Sequence, residues 1–195
     1  MKKVYWLAST ALLAVSLAAG VATPSFAQAM KNTAEKTVTV GGAPMYPSKN
    51  IVQNAVNSKD HTTLVAAVKA AGLVDTLSGP GPFTVFAPTN SAFAKLPAGT
   101  VDTLLKPENK DKLTAVLTYH VVAGKMSAKD LMDAIKQGEG KAVLKTVQGG
   151  SLTATQEGNS VVLTDAKGGK SKVTIANVNQ SNGVIHVVDT VLLPG

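Results

Sequence analysis

The chain has 195 residues, 45% apolar and 16% charged, a length and composition that suit one domain around a single filled core. It contains no cysteine, which excludes disulfides, a thiolate nucleophile and thiolate metal ligands. The formal charge of +7 is carried by lysine without any arginine, so bidentate guanidinium recognition of phosphate or carboxylate is absent. The lysines are scattered between Lys31 and Lys172 rather than gathered into a tract, and they read as a solvated surface.

Met1-Lys2-Lys3 is a short positive start, and Val4 to Val21 is almost wholly apolar. Pro24 breaks that run, and Ser25-Phe26-Ala27 places small residues at the −3 and −1 positions of a cleavage site. This three-part pattern predicts a secretory signal peptide over residues 1–27, cleaved after Ala27. An uncleaved anchor is the competing reading, because the apolar run approaches the spanning minimum. Cleavage leaves about 168 residues, a charge of about +5, and an extracytoplasmic protein, periplasmic or secreted. The remaining aromatics are Tyr46, Phe83, Phe86, Phe93 and Tyr119. They are too few for a base-stacking or sugar-stacking platform, so nucleic acid is not an expected partner.

Residues 28–48 are polar, lack clear periodicity, and contain Gly41-Gly42, Pro44 and Pro47, which predicts a flexible lead-in. From residue 49 to 194 the pattern is that of an ordered domain. Asp60 or Thr62 is a candidate cap for a helix carrying Leu64, Val65, Val68 and Ala71 on one face and stopped at Gly72-Leu73. Gly79-Pro80-Gly81-Pro82 is a turn, Phe83–Ala87 a strand, and Pro88-Thr89-Asn90 ends it and opens a helical turn through Phe93. Pro97 to Leu105 and Lys110 to Tyr119 read as helices, with His120 continuing the apolar stripe of Leu113, Val116 and Leu117. Ser127 with Asp130 forms a capping pair for a helix that Gly138 ends.

After Gly140 the period changes to that of strands, predicted over 142–147, 151–156, 161–164, 172–178 and 184–192 and separated by glycine-containing turns. Helices first, one early strand, then a run of strands predicts an α+β fold with an antiparallel sheet system packed against helices. The nearly unbroken apolar run from Val184 to Leu192 predicts a strand covered on both faces.

Three segments carry a family resemblance. Gly81-Pro82-Phe83-Thr84-Val85-Phe86-Ala87-Pro88-Thr89-Asn90-Ser91-Ala92-Phe93 resembles the first signature of fasciclin domains. Leu117-Thr118-Tyr119-His120-Val121-Val122 resembles their central tyrosine–histidine motif, and Asn182 to Pro194 is similar to their C-terminal signature. The resemblance runs from about Asn50 to Pro194. It implies a wedge or sandwich of mainly antiparallel strands with helices along one side, a role in adhesion or surface interaction, and no cofactor. The chain has no arginine and therefore no Arg-Gly-Asp tripeptide, so integrin-directed motifs of animal relatives do not carry over.

The candidate interaction residues are Tyr119, His120, Thr89, Asn90, His186 and Asp189. His120 and His186 lie in apolar contexts that favour neutral, buried, hydrogen-bonded imidazoles over ligands. His61, at a helix start, reads as solvent-facing. No Gly-x-Ser-x-Gly elbow, Ser-x-x-Lys pair or paired-carboxylate cluster is present, and Gly169-Lys170-Ser171 lacks the upstream glycine of a phosphate loop. The reading is therefore a non-catalytic exported module. Its expected partner is a protein or polysaccharide of the cell envelope or a neighbouring cell surface. A carrier of an apolar small molecule, a pigment or lipid, is the alternative from a different class.

Overall fold

The computed structural model describes residues 37–195; the leader, and the lead-in up to residue 36, lie outside the described residues. The first element falls where the sequence predicts a flexible segment. β1 (Val38–Val40) and β2 (Ala43–Met45) form an antiparallel hairpin pairing Val38 with Met45 and Val40 with Ala43. Gly41 and Gly42 both have positive φ, 59° and 77°, as a two-residue turn of this hand requires. Val40 and Met45 are buried and belong to the main core. The strands have three residues each, too short for a legible alternation, and Pro44 sits in one of them, which a short two-stranded ribbon tolerates.

A group of helices follows: α1 (Ile51–Ala55), α2 (Thr62–Ala71), α3 (Val74–Ser78), α4 (Asn90–Ala94), α5 (Thr100–Leu105), α6 (Lys110–Tyr119) and α7 (Ala128–Gln137). The sequence signals locate α2, α4, α6 and α7 closely. Gly72 takes the left-handed conformation after α2, and Leu73 N–H donates to the Val68 carbonyl at 3.0 Å, closing that helix. Ser127 and Asp130 form the reciprocal box at the start of α7. α1 and α3 are five-residue helices that periodicity does not reveal.

Among the described residues the other strands form one seven-stranded sheet in the order β4-β3-β9-β8-β7-β6-β5. These are β3 (Phe83–Pro88), β4 (Val121–Ala123), β5 (Lys141–Lys145), β6 (Ser151–Glu157), β7 (Ser160–Thr164), β8 (Lys170–Gln180) and β9 (Gly183–Val188). All neighbours are antiparallel except β3 and β9, which run parallel from Phe83 opposite Gly183 to Pro88 opposite Val188. β4 at one edge meets Thr146, the residue just after β5 at the other, through an isolated bridge from Val122, so the sheet curls nearly closed. This is the α+β class expected, with one parallel pair inside a mainly antiparallel sheet.

β3 and β9 are covered on both faces. Val85, Ala87, Ile185 and Val187 enter a core shared with α1 to α6, whereas Phe86 and Val188 enter a second core with α7 and β5 to β7. The apolar run predicted as one strand to Leu192 is divided. The ladder ends at Val188, and Val191 and Leu192 are buried from an irregular tail. The tail's backbone groups are taken by side chains: Ser171 Oγ donates to the Thr190 carbonyl and accepts from its N–H, and Asp165 Oδ2 accepts from Leu193 N–H.

Gly183 and Gly150 are among the glycines that close approach requires. A Cβ on Gly183 would collide with the Phe83 carbonyl of the parallel partner, and one on Gly150 would lie 2.7 Å from the Tyr119 ring. Asn182, just before β9, ties the sheet to the helices. Its Oδ1 accepts from Ile51 N–H at the start of α1, and its Nδ2 donates to the carbonyls of Leu77 and Gly79. Asn182→Ala should therefore lower stability by about 2–3 kcal/mol, read as a lower urea midpoint at an unchanged slope. An unchanged midpoint would mean that water replaces these bonds without cost.

Candidate functional site

The tyrosine–histidine pair sits where α6 ends and β4 begins, at the junction of both cores. Tyr119 is buried, and its hydroxyl donates to the Ser151 carbonyl at 2.7 Å and accepts from Ala166 N–H at 3.2 Å. Burial raises its phenol above the ordinary value, with the Ala166 contact opposing. His120 is also buried. Its Nδ1 lies 2.7 Å from the Val116 carbonyl, which can only accept, and its Nε2 lies 3.0 Å from Leu192 N–H, which can only donate. The ring is therefore neutral and protonated on Nδ1. Its own carbonyl accepts from Phe86 N–H, so one residue joins α6, β3 and the C-terminal tail.

His186, on β9, has the opposite tautomer. Nε2 faces the Met126 carbonyl at 2.8 Å, and Nδ1 accepts from Asn177 N–H at 3.4 Å. The ring stacks on Phe86 with centroids 5.7 Å apart. Asn177 has φ of 60° at an irregularity in β8, and its side-chain oxygen accepts from Ala128 N–H at the start of α7. Each of these two rings has both nitrogens engaged, as the buried reading of His120 and His186 requires.

The polar residues of the first signature act at helix starts. Thr89 Oγ1 accepts from Ala92 N–H and caps α4. Asn90, expected to cap that same turn, instead reaches across to α2: its Oδ1 accepts from Thr63 N–H and the Thr62 hydroxyl, and its Nδ2 donates to the Lys59 carbonyl. This corrects the expectation that Asp60 or Thr62 caps α2, since the cap is supplied by a residue 27 positions away. Asp189 accepts from Lys172 N–H and the Thr190 hydroxyl and pairs with Lys95 at 3.5 Å. Partial burial works to raise its pKa, but these contacts outweigh burial and hold it below 3.8.

His61 is not solvent-facing. It ends a 3-10 turn, Lys59–His61, and is 3% exposed, with Nδ1 2.9 Å from the Ser58 hydroxyl. The signal that misleads is its place among polar residues at a helix start. Asp165 and Asn54 are further buried polar groups that the sequence reading passed over. Asp165 Oδ1 accepts from both Lys167 and Gly169 N–H, a local turn that Asp165-Ala166-Lys167-Gly168-Gly169 could have revealed. Asn54 bonds Tyr46 and Gln180 from afar, for which the sequence carries no local signal.

The structure thus gathers Tyr119, His120 and His186 around the Phe86 region, and holds Thr89, Asn90 and Asp189 at separate junctions. Among the described residues no group of three His, Asp or Glu side chains could hold a metal ion. Nor is any helix among them long and apolar enough to cross a membrane.

Burial lowers His120 from 6.5 to about 4, against the opposing Val116 carbonyl and the Asp165 charge, and burial also lowers His186 and His61. A folded pKa below the unfolded one means that the unfolded chain binds the proton first. Stability is then complete above pH 6.5 and declines as pH falls toward 4, by at most about 3 kcal/mol for His120. Asp130 and Asp189, both lowered from 3.8, add their losses chiefly at lower pH. Thermal unfolding between pH 7 and 4.5 should show a falling midpoint, and His120→Leu should flatten that slope while lowering stability at pH 7. A wild-type midpoint constant across this range would contradict the assigned neutral rings.

Residues 59–194 match the fasciclin domain family. Protein sll1483 of Synechocystis is 48% identical over 171 residues, which cover 88% of each chain. The immunogenic protein MPB70 of Mycobacterium bovis is 41% identical over 72% of this chain and 66% of its own length. The cell surface glycolipoprotein MPB83 of the same species is 37% identical over 72% of this chain and 58% of its own. Among solved structures, a FAS1 domain pair from the insect cell adhesion molecule Fasciclin I superposes with a TM-score of 0.66. That match has 22% identity and covers 76% of this chain and 52% of that one, which establishes the shared fold. The chain belongs to the fasciclin domain family.

Proposed function

We propose that the protein is an exported, non-catalytic interaction module that binds a protein or polysaccharide of the cell envelope or of a neighbouring surface. The observation that carries this reading is where the polar groups of the family motifs are spent. Tyr119, His120, His186, Thr89 and Asn90 are each engaged in hydrogen bonds inside the fold, which leaves recognition to the outer surface rather than to a reactive cleft. The leader pattern of residues 1–27 supports export. One relative is described as a cell surface glycolipoprotein, and the insect neighbour as a cell adhesion molecule, which agrees with a surface role.

Two measurements test this together. Intact mass spectrometry of the protein from its own host should give a chain beginning at Gln28 outside the cytoplasm. The purified protein should show saturable binding to an envelope protein or polysaccharide fraction, competed by the unlabelled domain. Cytoplasmic retention of the intact chain would overturn export, and linear, non-competable binding to every fraction would overturn the interaction reading.

A further inference from the structure

Lysines that are scattered in the sequence are gathered by the sheet. Residues directly opposed in a ladder share a face, so the register from β5 to β8 fixes which side chains stand together. One rung runs Lys141, Thr155, Val162, Lys172. The next runs Val143, Thr153, Thr164, Lys170, and Lys145 stands opposite Ser151 beyond it. The intervening residues, among them Leu144, Leu152, Leu163 and Val173, enter the second core with Leu131 and Ile135 of α7. The two rungs therefore form the opposite, outer face. All four of its lysines are exposed, and Val143 is 65% exposed.

Two basic margins result, Lys141 with Lys145 on β5 and Lys170 with Lys172 on β8. Three strand spacings of ~4.8 Å set them about 14 Å apart. The floor between them is rich in hydroxyls: Ser151 is exposed, and Thr153, Thr155 and Thr164 are half-buried. One carboxylate shares this face, Glu157 at the end of β6, which pairs with Lys170 at 3.5 Å. Among the described residues no carboxylate pairs with Lys141, Lys145 or Lys172. From residue 141 onward the other carboxylates are Asp165 and Asp189, and both are turned to backbone N–H groups. The face is left with a net positive charge.

We propose that this face binds an acidic polysaccharide, a glycan chain carrying carboxylates at intervals, with the lysines pairing those carboxylates and the serine and threonine hydroxyls meeting its hydroxyl groups. The inference rests on the interaction reading above and names the class of its partner. Lysine is a compact charge on a flexible stem, suited to single carboxylates spaced along a chain rather than to the planar fork that guanidinium recognises. The two rungs carry no aromatic ring, so neutral sugars and bare bases find no stacking platform, and charge must supply the attraction. A lipid surface fits less well. Val143 is the one large apolar side chain that these rungs expose, and an interfacial binder needs an apolar face to insert.

The probes are a mannuronate hexamer and the mannose hexamer of the same linkage, which differ in the carboxylates alone. The mannuronate hexamer should bind saturably, with amide shifts confined to β5–β8 and an affinity that falls as salt is added, and the mannose hexamer should not bind. Lys141→Gln and Lys172→Gln should each weaken binding about threefold. Lys106→Gln and Lys112→Gln, which remove the same charge from exposed positions after α5 and on α6, should leave it unchanged. Glu157→Gln should strengthen binding by freeing Lys170, and Val143→Glu, at an exposed position between the margins, should abolish it. Equal losses from Lys112→Gln and Lys172→Gln, or equal binding of the two hexamers, overturn the site. Tighter binding of phosphatidylglycerol vesicles or single-stranded DNA through the same lysines overturns the choice of partner. If the mannuronate hexamer fails to bind while an envelope fraction is still bound saturably, this face is rejected and the interaction reading stands; if neither binds, both fall.

Discussion

The parallel pairing of β3 with β9 is the constraint on which the other elements depend. Parallel neighbours cannot be joined by a tight turn, so everything between Pro88 and Gly183 forms one long connection. That connection covers the pair on both faces. α4 to α6 return over one face, and α7 with β5 to β7 enclose the other. With β3 and β9 dry on both faces, their side chains alternate between two cores rather than between core and solvent. Phe86 and His186 occupy the same rung of that ladder and stack in the second core.

The two buried histidines of the signatures serve this arrangement as fixed connectors. Each bridges a backbone carbonyl and a backbone N–H from different elements, a task for which neutral imidazole, with one donor and one acceptor on a rigid ring, is suited. His120 links the end of α6 to the tail after β9, and His186 links β9 to the loop before α7 and to the β8 irregularity. Protonation would set a ring N–H against a backbone N–H at each site, which is why burial and hydrogen bonding together keep both rings neutral. His61 breaks this pattern, with Nδ1 beside the Ser58 hydroxyl and Nε2 buried without a hydrogen bond of good geometry.

Asparagine plays a related part at longer range. Asn90, Asn177 and Asn182 each supply an oxygen to a helix N-terminus that lies elsewhere in the chain, those of α2, α7 and α1. An N-terminal turn needs an acceptor for its free N–H groups and is indifferent to where in the sequence it comes from. The three contacts therefore fasten helices to segments distant in the sequence, and they account for asparagines in both signatures without assigning them to a partner.

The sequence by itself determined the α+β class, the positions of α2, α6 and α7, the strands from β5 onward, and the buried character of His120 and His186. These rest on local quantities: hydrophobic period, capping pairs and glycine at turns. It missed the β1–β2 hairpin, because three-residue strands carry no period, and it placed His61 in solvent, because a polar neighbourhood in sequence is not a polar neighbourhood in space. Only the tertiary structure decided that β3 and β9 are parallel neighbours, that Asn90 caps a helix 27 residues earlier, and that His61 borders a cavity. Each of these joins segments far apart in the chain. Such pairings depend on how the packed elements meet, and no local pattern records that.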